Sequence, residues 1–160
     1  MDIDVRLYVD GDFDSLETVR FWMSEIDTRN DLRVYGYSKS WAQLLEYNLS
    51  GYTWPKNYVL NLLSGSKFED NPAYAAAVAA LPIARGEFVA VEIDTDGLPK
   101  GAARYDSREY HKRVREALRA RDGKVGFSCP GKCGDCGAKA HACGNPAARI
   151  TIGIGIHGRK

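Results

Sequence analysis

Three stretches decide the fold class: Ile3-Asp-Val-Arg-Leu-Tyr-Val-Asp10, Asp14-Ser-Leu-Glu-Thr-Val-Arg-Phe-Trp-Met-Ser-Glu-Ile26 and Leu32-Arg-Val-Tyr-Gly-Tyr37. In the first, Val5, Leu7 and Val9 alternate with polar or amphipathic neighbours, a period of two that predicts a strand. In the second, Leu16, Val19, Trp22, Met23 and Ile26 share one face at helical spacing, which predicts an amphipathic helix. Asp14 is the expected cap of that helix, with Glu17 three residues on completing a capping box. The third reads as another strand. Strand, helix, strand is a βαβ unit, and such units build a mainly parallel sheet.

The alternation continues outward from there. Ser40 to Asn48 predicts a short helix with Leu44 and Leu45 inward, and a loop around Trp54-Pro55 leads to a strand at Tyr58 to Leu63. Asn71 caps a helix that begins with Pro72 at its first position and ends near Leu81-Pro82. Phe88 to Ile93 predicts a fourth strand, closed by an Asp96-Gly97 turn. Successive βα units of this kind make a half-barrel-like sheet or a small open sheet. Ser107 then opens a helix reaching about Arg121, and Val125 to Phe127 is a short extended piece. Ile150, Ile152, Ile154 and Ile156 alternate strictly with Thr151, Gly153 and Gly155, which predicts a final strand. Its two glycines on one side imply close packing or a barrel corner. The final strand is expected to run antiparallel to the first, because many α/β sheets carry an antiparallel edge strand. Residues 1–124 thus read as an α/β domain. Residues 125–160 read as a Cys-rich loop plus a final strand packed on the same domain.

All four cysteines of the chain lie in residues 129–143, at Cys129, Cys133, Cys136 and Cys143. Thiolates are soft ligands, and four around one centre suit zinc or a [4Fe–4S] cluster. Gly131, Gly134, Gly137 and Gly144 let the backbone turn tightly enough to aim the sulfurs inward. Lys132 and Lys139 would offset the charge of a tetrathiolate centre. His141 is a substitute fourth ligand in place of Cys143, or a solvated loop histidine. Two disulfides are the other use of four cysteines, and they belong to secreted chains. The opening Met-Asp-Ile-Asp-Val lacks the apolar core of a signal peptide, so a cytoplasmic location is expected.

Charge and hydropathy exclude several function classes. The net charge of +1 gives no global attraction to nucleic acid or to a membrane surface. No apolar run approaches the ~20 residues of a membrane helix. One local basic run stands out in the helix 108–124: Lys112, Arg113, Arg115, Arg119, Arg121 and Lys124 surround His111. It is a weak candidate for nucleic acid, since Glu109, Glu116 and Asp122 are interleaved and i,i+4 ion pairs explain most such faces.

Parallel α/β sheets gather ligands at the C-terminal ends of their strands. Asp10, Asp12 and Asp14 follow the first strand, Lys39 the second, Ser64 and Ser66 the third, and Glu92 and Asp94 end the fourth. Asp12 and Lys39 are candidate catalytic residues, with Asp10, Ser64 and Ser66 as candidate ligand-binding residues. An EF-hand is excluded at Asp10-x-Asp12-x-Asp14, because Ser15 and Phe21 stand where that loop needs Gly and Glu.

Val9-Asp-Gly-Asp-Phe-Asp-Ser15, Trp22, Val34-Tyr-Gly-Tyr-Ser-Lys-Ser40, Asn61-Leu-Leu-Ser-Gly-Ser66, Cys129-Pro130 with Cys133 and Cys136, and Ile156-His-Gly158 resemble the phage-encoded gene product 88 family. The resemblance spans nearly the whole chain. It implies a phage protein inside a host cell, with a host or phage protein as partner, and it brings no reaction with it. Relatives carry an extra segment with further cysteines ahead of the Gly-Asp-Phe strand. Whatever that segment supplies, a second cluster or the closing of a barrel, does not transfer to these residues. Cys129-x3-Cys133-x2-Cys136 also resembles the cluster loop of radical S-adenosylmethionine enzymes. That loop usually follows a first strand and has an aromatic residue where this chain has Asp135. The leading expectation is therefore a metal- or cluster-binding interaction or regulatory module. The alternatives are a radical-type enzyme using the strand-end face, and a nucleic-acid binder.

Overall fold

The computed structural model describes residues 3–8, 11–133 and 142–157. The backbone forms a six-stranded parallel sheet of order β1-β2-β3-β4-β6-β5, and the chain divides into two compact units.

The first unit holds residues 1–86 and the returning segment 143–149. It contains β1 (Ile3–Leu7), α1 (Leu16–Asp27), β2 (Leu32–Ser38), α2 (Trp41–Leu49), β3 (Tyr58–Leu63), α3 (Pro72–Ala79) and the start of β4 (Ala84–Ile93). Val5 lies opposite Val34, and Val34 opposite Tyr58. The period-two residues Leu7, Val34, Tyr58, Leu60 and Leu62 bury against Val19, Met23 and Ile26 of α1, Trp41, Leu44 and Tyr47 of α2, and Val78 of α3. Gly36 is required by close approach, since a Cβ there would stand 2.8 Å from the Tyr58 hydroxyl.

Two local readings are corrected here. The cap of α1 is Ser15, whose hydroxyl accepts from the Thr18 amide at 3.2 Å, and not Asp14. Both side chains are able to cap, but Ser15 has the extended backbone (φ −150°, ψ 166°) that lets a cap oxygen fold back onto the first turn. Asp14 instead accepts from the Thr18 hydroxyl. β4 begins at Ala84 rather than Phe88, drawn out by the Leu60 amide donating to the Ile83 carbonyl at 2.8 Å. The expected cap Asn71 holds, accepting from the Tyr74 amide at 3.1 Å with Pro72 at the first helical position.

The second unit holds residues 87–142 and 150–160. It contains the rest of β4, a 3-10 turn at Gly101–Asp106, α4 (Arg108–Asp122), β5 (Phe127–Ser128) and β6 (Ile152–His157). Val89, Val91 and Ile93 pack on Tyr110, Val114 and Leu118 of α4. Ser107 caps α4, and Gly123 ends it at φ 67°. The glycines of β6 admit the helix: a Cβ at Gly153 would lie 2.8 Å from Leu118, and one at Gly155 2.5 Å from Ile93 and 2.9 Å from Val114. Tyr110 also donates its position to the strand, its hydroxyl accepting from the Gly155 amide at 2.9 Å.

The antiparallel expectation for the last strand is overturned. β6 pairs parallel with β4, Phe88 opposite Ile152, and parallel with β5. α4 is the crossover that sets β5 parallel to β4, and β6 lies between these two strands and pairs parallel with both. Among the described residues no helix is long and apolar enough to cross a membrane.

Candidate functional site

The cysteine segment is tied down at its two ends by different means. At the first end, β5 carries straight into Cys129, whose amide donates to the Gly153 carbonyl at 2.7 Å. Gly131 turns the chain at φ 76°, where a Cβ would stand 2.6 Å from the Tyr105 ring. Its amide donates to the Cys129 sulfur at 3.4 Å. His111 braces this corner. Its Nε2 lies 2.7 Å from the Tyr105 carbonyl, an acceptor only, so Nε2 carries the hydrogen. Its Nδ1 lies 2.7 Å from the buried Ser128 hydroxyl. The histidine singled out in the basic helix is thus a brace between α4, the 3-10 turn and β5. Cys133 is exposed.

The other end belongs to the first unit. Cys143 is buried, and its carbonyl accepts from Asn61 Nδ2 at 3.0 Å. Asn61 lies inside β3 with no exposed surface, and its amide is fully used. Nδ2 donates to the Gly36 carbonyl at 3.1 Å as well, while Oδ1 accepts from Arg85 Nε at 2.7 Å. Carbonyls only accept and a guanidinium only donates, which fixes the amide orientation. Arg85, only 2% exposed, also donates to the Ala148 carbonyl at 2.6 Å, and Arg149 donates to the Ala84 carbonyl at 2.9 Å. Burial lowers the Arg85 pKa from its usual value, and the neighbouring Cys143 sulfur works in the opposite direction. Cys136 and His141 lie outside the described residues. Among the described residues no three His, Cys, Asp or Glu side chains gather as a metal needs.

Of the strand-end residues of the first unit, Asp12, Lys39 and Ser66 lie together. Asp12 Oδ1 accepts from the Ser38 hydroxyl at 2.6 Å and from the Phe13 amide at 2.8 Å, and Oδ2 accepts from the Lys39 amide at 2.5 Å. The Ser66 hydroxyl donates to the Lys39 carbonyl at 3.0 Å. Lys39 Nζ stands 3.1 Å from where a Gly65 Cβ would be, and Gly65, at φ 82°, gives its amide to Glu69 at 2.6 Å. Both Asp12 oxygens are therefore engaged in holding the turn between β2 and α2. That is an organising role, and it leaves Lys39, which is exposed, as the group here most able to meet a ligand. Asp10 lies outside the described residues.

The thiolate end and the Asp12 edge are not one site within this unit. Asp12 follows the C-terminal end of β1. Cys143 hangs from Asn61 in mid-strand, and Gly144 and Pro146 line a small cavity with Asp4, Arg33, Lys56 and Asn57, at the strands' N-terminal ends.

Three of the six cations of the basic helix pair with carboxylates. Arg113 pairs with Glu109 at 3.0 Å, Arg121 with Glu87 at 3.0 Å, and Lys112 with Glu116 at 4.0 Å. A phosphate backbone would compete with these partners for the same cations.

The residues that sequence reading passed over are Asn61, Arg85 and Ser38. A signal existed for the first: one amide inside the apolar run Tyr58 to Leu63, which nothing but a buried polar role explains.

The family model described as gene product 88 matches residues 1–146, and the chain belongs to that family. No curated protein and no solved structure matches it.

Proposed function

We propose that this member of the gene product 88 family is a phage protein of the host cytoplasm. It carries zinc or a [4Fe–4S] cluster on Cys129, Cys133, Cys136 and Cys143, and acts on a host or phage protein as an interaction or regulatory module. The observation that carries the reading is the concentration of every cysteine of the chain into residues 129–143. The supports at the two ends fit it. Cys129 extends a strand and accepts an amide hydrogen bond on sulfur, and Cys143 is anchored through its backbone carbonyl by Asn61. Metal ligands are commonly held in this way by groups behind them.

Anaerobic purification followed by the absorption spectrum and metal analysis tests the proposal. A brown protein with iron and acid-labile sulfide indicates the cluster, and a colourless one with stoichiometric zinc indicates a structural site. Cys129→Ser and Cys136→Ser should each lose the metal. A chain that holds neither metal, or keeps it in both variants, refutes the proposal.

A further inference from the structure

The parallel strands β4 and β6 end side by side, with Ile93 opposite His157. Parallel α/β sheets bind ligands beyond this edge. A cavity of about 320 Å³ lies there, lined by Thr95, Asp96, Lys100, Arg104 and His157, with Leu98 and Pro99 as an apolar wall. It lies entirely within the second unit and shares no residue with the cysteine segment or the Asp12 edge.

Its turn is built. The Leu98 amide donates to the Thr95 carbonyl at 3.1 Å, and the Asp96 amide to the Asp94 carboxylate at 2.9 Å. From behind, Arg113 Nη1 donates to the carbonyls of Asp94 and Asp96 at 2.8 and 3.0 Å. Thr95 Oγ1 lies 2.5 Å from His157 Nδ1, which orients the imidazole. Arg104 Nε donates to the Gly101 carbonyl at 3.3 Å, so its guanidinium has a fixed root.

Two permanent cations and an imidazole face one carboxylate, a balance that favours a dianion. Lysine and arginine are the usual partners of phosphate oxygens. The volume is at the low end for small-molecule sites, which fits a phosphate with a modest organic part against Leu98 and Pro99. We propose that this cavity binds a small phosphomonoester, with Lys100 and Arg104 on the phosphate and His157 as a third polar contact.

The test is calorimetric titration of the full chain, as purified, with ribose 5-phosphate and with inorganic phosphate. Ribose 5-phosphate should bind more tightly than inorganic phosphate. Lys100→Gln and Arg104→Gln should each weaken binding roughly ten-fold, the loss of one charge-assisted hydrogen bond. Lys112→Gln, on the outer face of α4, should leave affinity unchanged. The His157 imidazole resonances should shift on addition of ligand. Thermal unfolding of each variant separates lost binding from lost fold. Binding absent at millimolar ligand, equal weakening by Lys112→Gln, or silent His157 resonances would overturn the site. Equal affinity for inorganic phosphate would overturn its assignment to an ester.

Discussion

Asn61→Ala is the substitution that discriminates best between an anchored and an incidental return of the Cys143 segment. The side chain has no exposed surface and makes three hydrogen bonds, to the carbonyls of Gly36 and Cys143 and from Arg85 Nε, at 3.1, 3.0 and 2.7 Å. Two neutral bonds near 1 kcal/mol each and one to a charged group near 2 kcal/mol predict a loss of about 4 kcal/mol. Most of that arises because the Arg85 guanidinium stays buried with one acceptor fewer, and removing a partner from a buried charge is more costly than the bond alone. Against a total stability of about 5–15 kcal/mol, the variant should unfold at visibly lower urea with an unchanged slope. Equilibrium urea unfolding followed by far-ultraviolet circular dichroism gives the numbers. A loss under about 1 kcal/mol for Asn61→Ala, the level of a single neutral bond, would refute the anchoring argument.

Gly155→Ala should destabilise by about 2 kcal/mol through overpacking against Ile93 and Val114. Gly97→Ala, whose Cβ meets nothing within 4 Å, should cost only the strain of its φ of 76°, about 1 kcal/mol; urea midpoints that rank the two the other way would contradict this. Burial raises the Tyr58 pKa well above that of a free tyrosine, so the folded state keeps a proton that the unfolded state releases. Stability is then complete below pH ~10 and falls as pH rises beyond it, and Tyr58→Phe should flatten that alkaline decline. The bidentate Arg29 pair holds Asp31 at about 2 against an ordinary 3.8. Its contribution is present above pH 3.8 and is lost as pH falls towards 2, so Asp31→Asn should remove part of the acid slope in urea titrations.

The fold class was legible because periodicity is local. Val5 and Leu7 alternate, and Val19, Met23 and Ile26 repeat at helical spacing, without reference to anything far away. Direction was not legible in β6. The alternation of Ile152, Ile154 and Ile156 is the same read either way, and the parallel pairing with β4 and β5 rests on partners far along the chain. Choice between neighbours was also hidden. Asp14 and Ser15 both carry a capping oxygen, and the backbone angle of Ser15 decides. At the strand ends, the rule that ligand sites follow parallel strands brought Asp12, Lys39 and Ser66 together. It did not reveal that Ser38 and the Lys39 amide occupy the Asp12 carboxylate. Partners 24 and 82 residues away from Asn61 leave no local trace beyond its polarity in an apolar run.

The two ends of the cysteine segment imply a division of labour for any metal. At Cys143 the backbone is fastened: Asn61 holds its carbonyl, and Arg85 and Arg149 fasten the following residues through backbone oxygens. Cys129 likewise follows β5 by a backbone bond to Gly153 and a turn braced by Tyr105 and His111. A zinc-finger-type domain has no such supports and unfolds without its metal. Here the backbone at Cys129 and Cys143 is held by groups that bind no metal, so on the proposal above loss of the metal is expected to act on the ligand segment and to leave Asn61, Arg85 and the core of the first unit with their partners. The proposed centre would then be suited to exchange or to respond to oxidation while the α/β body persists, as a regulatory module requires, and a circular-dichroism spectrum that collapses on chelation would contradict this expectation.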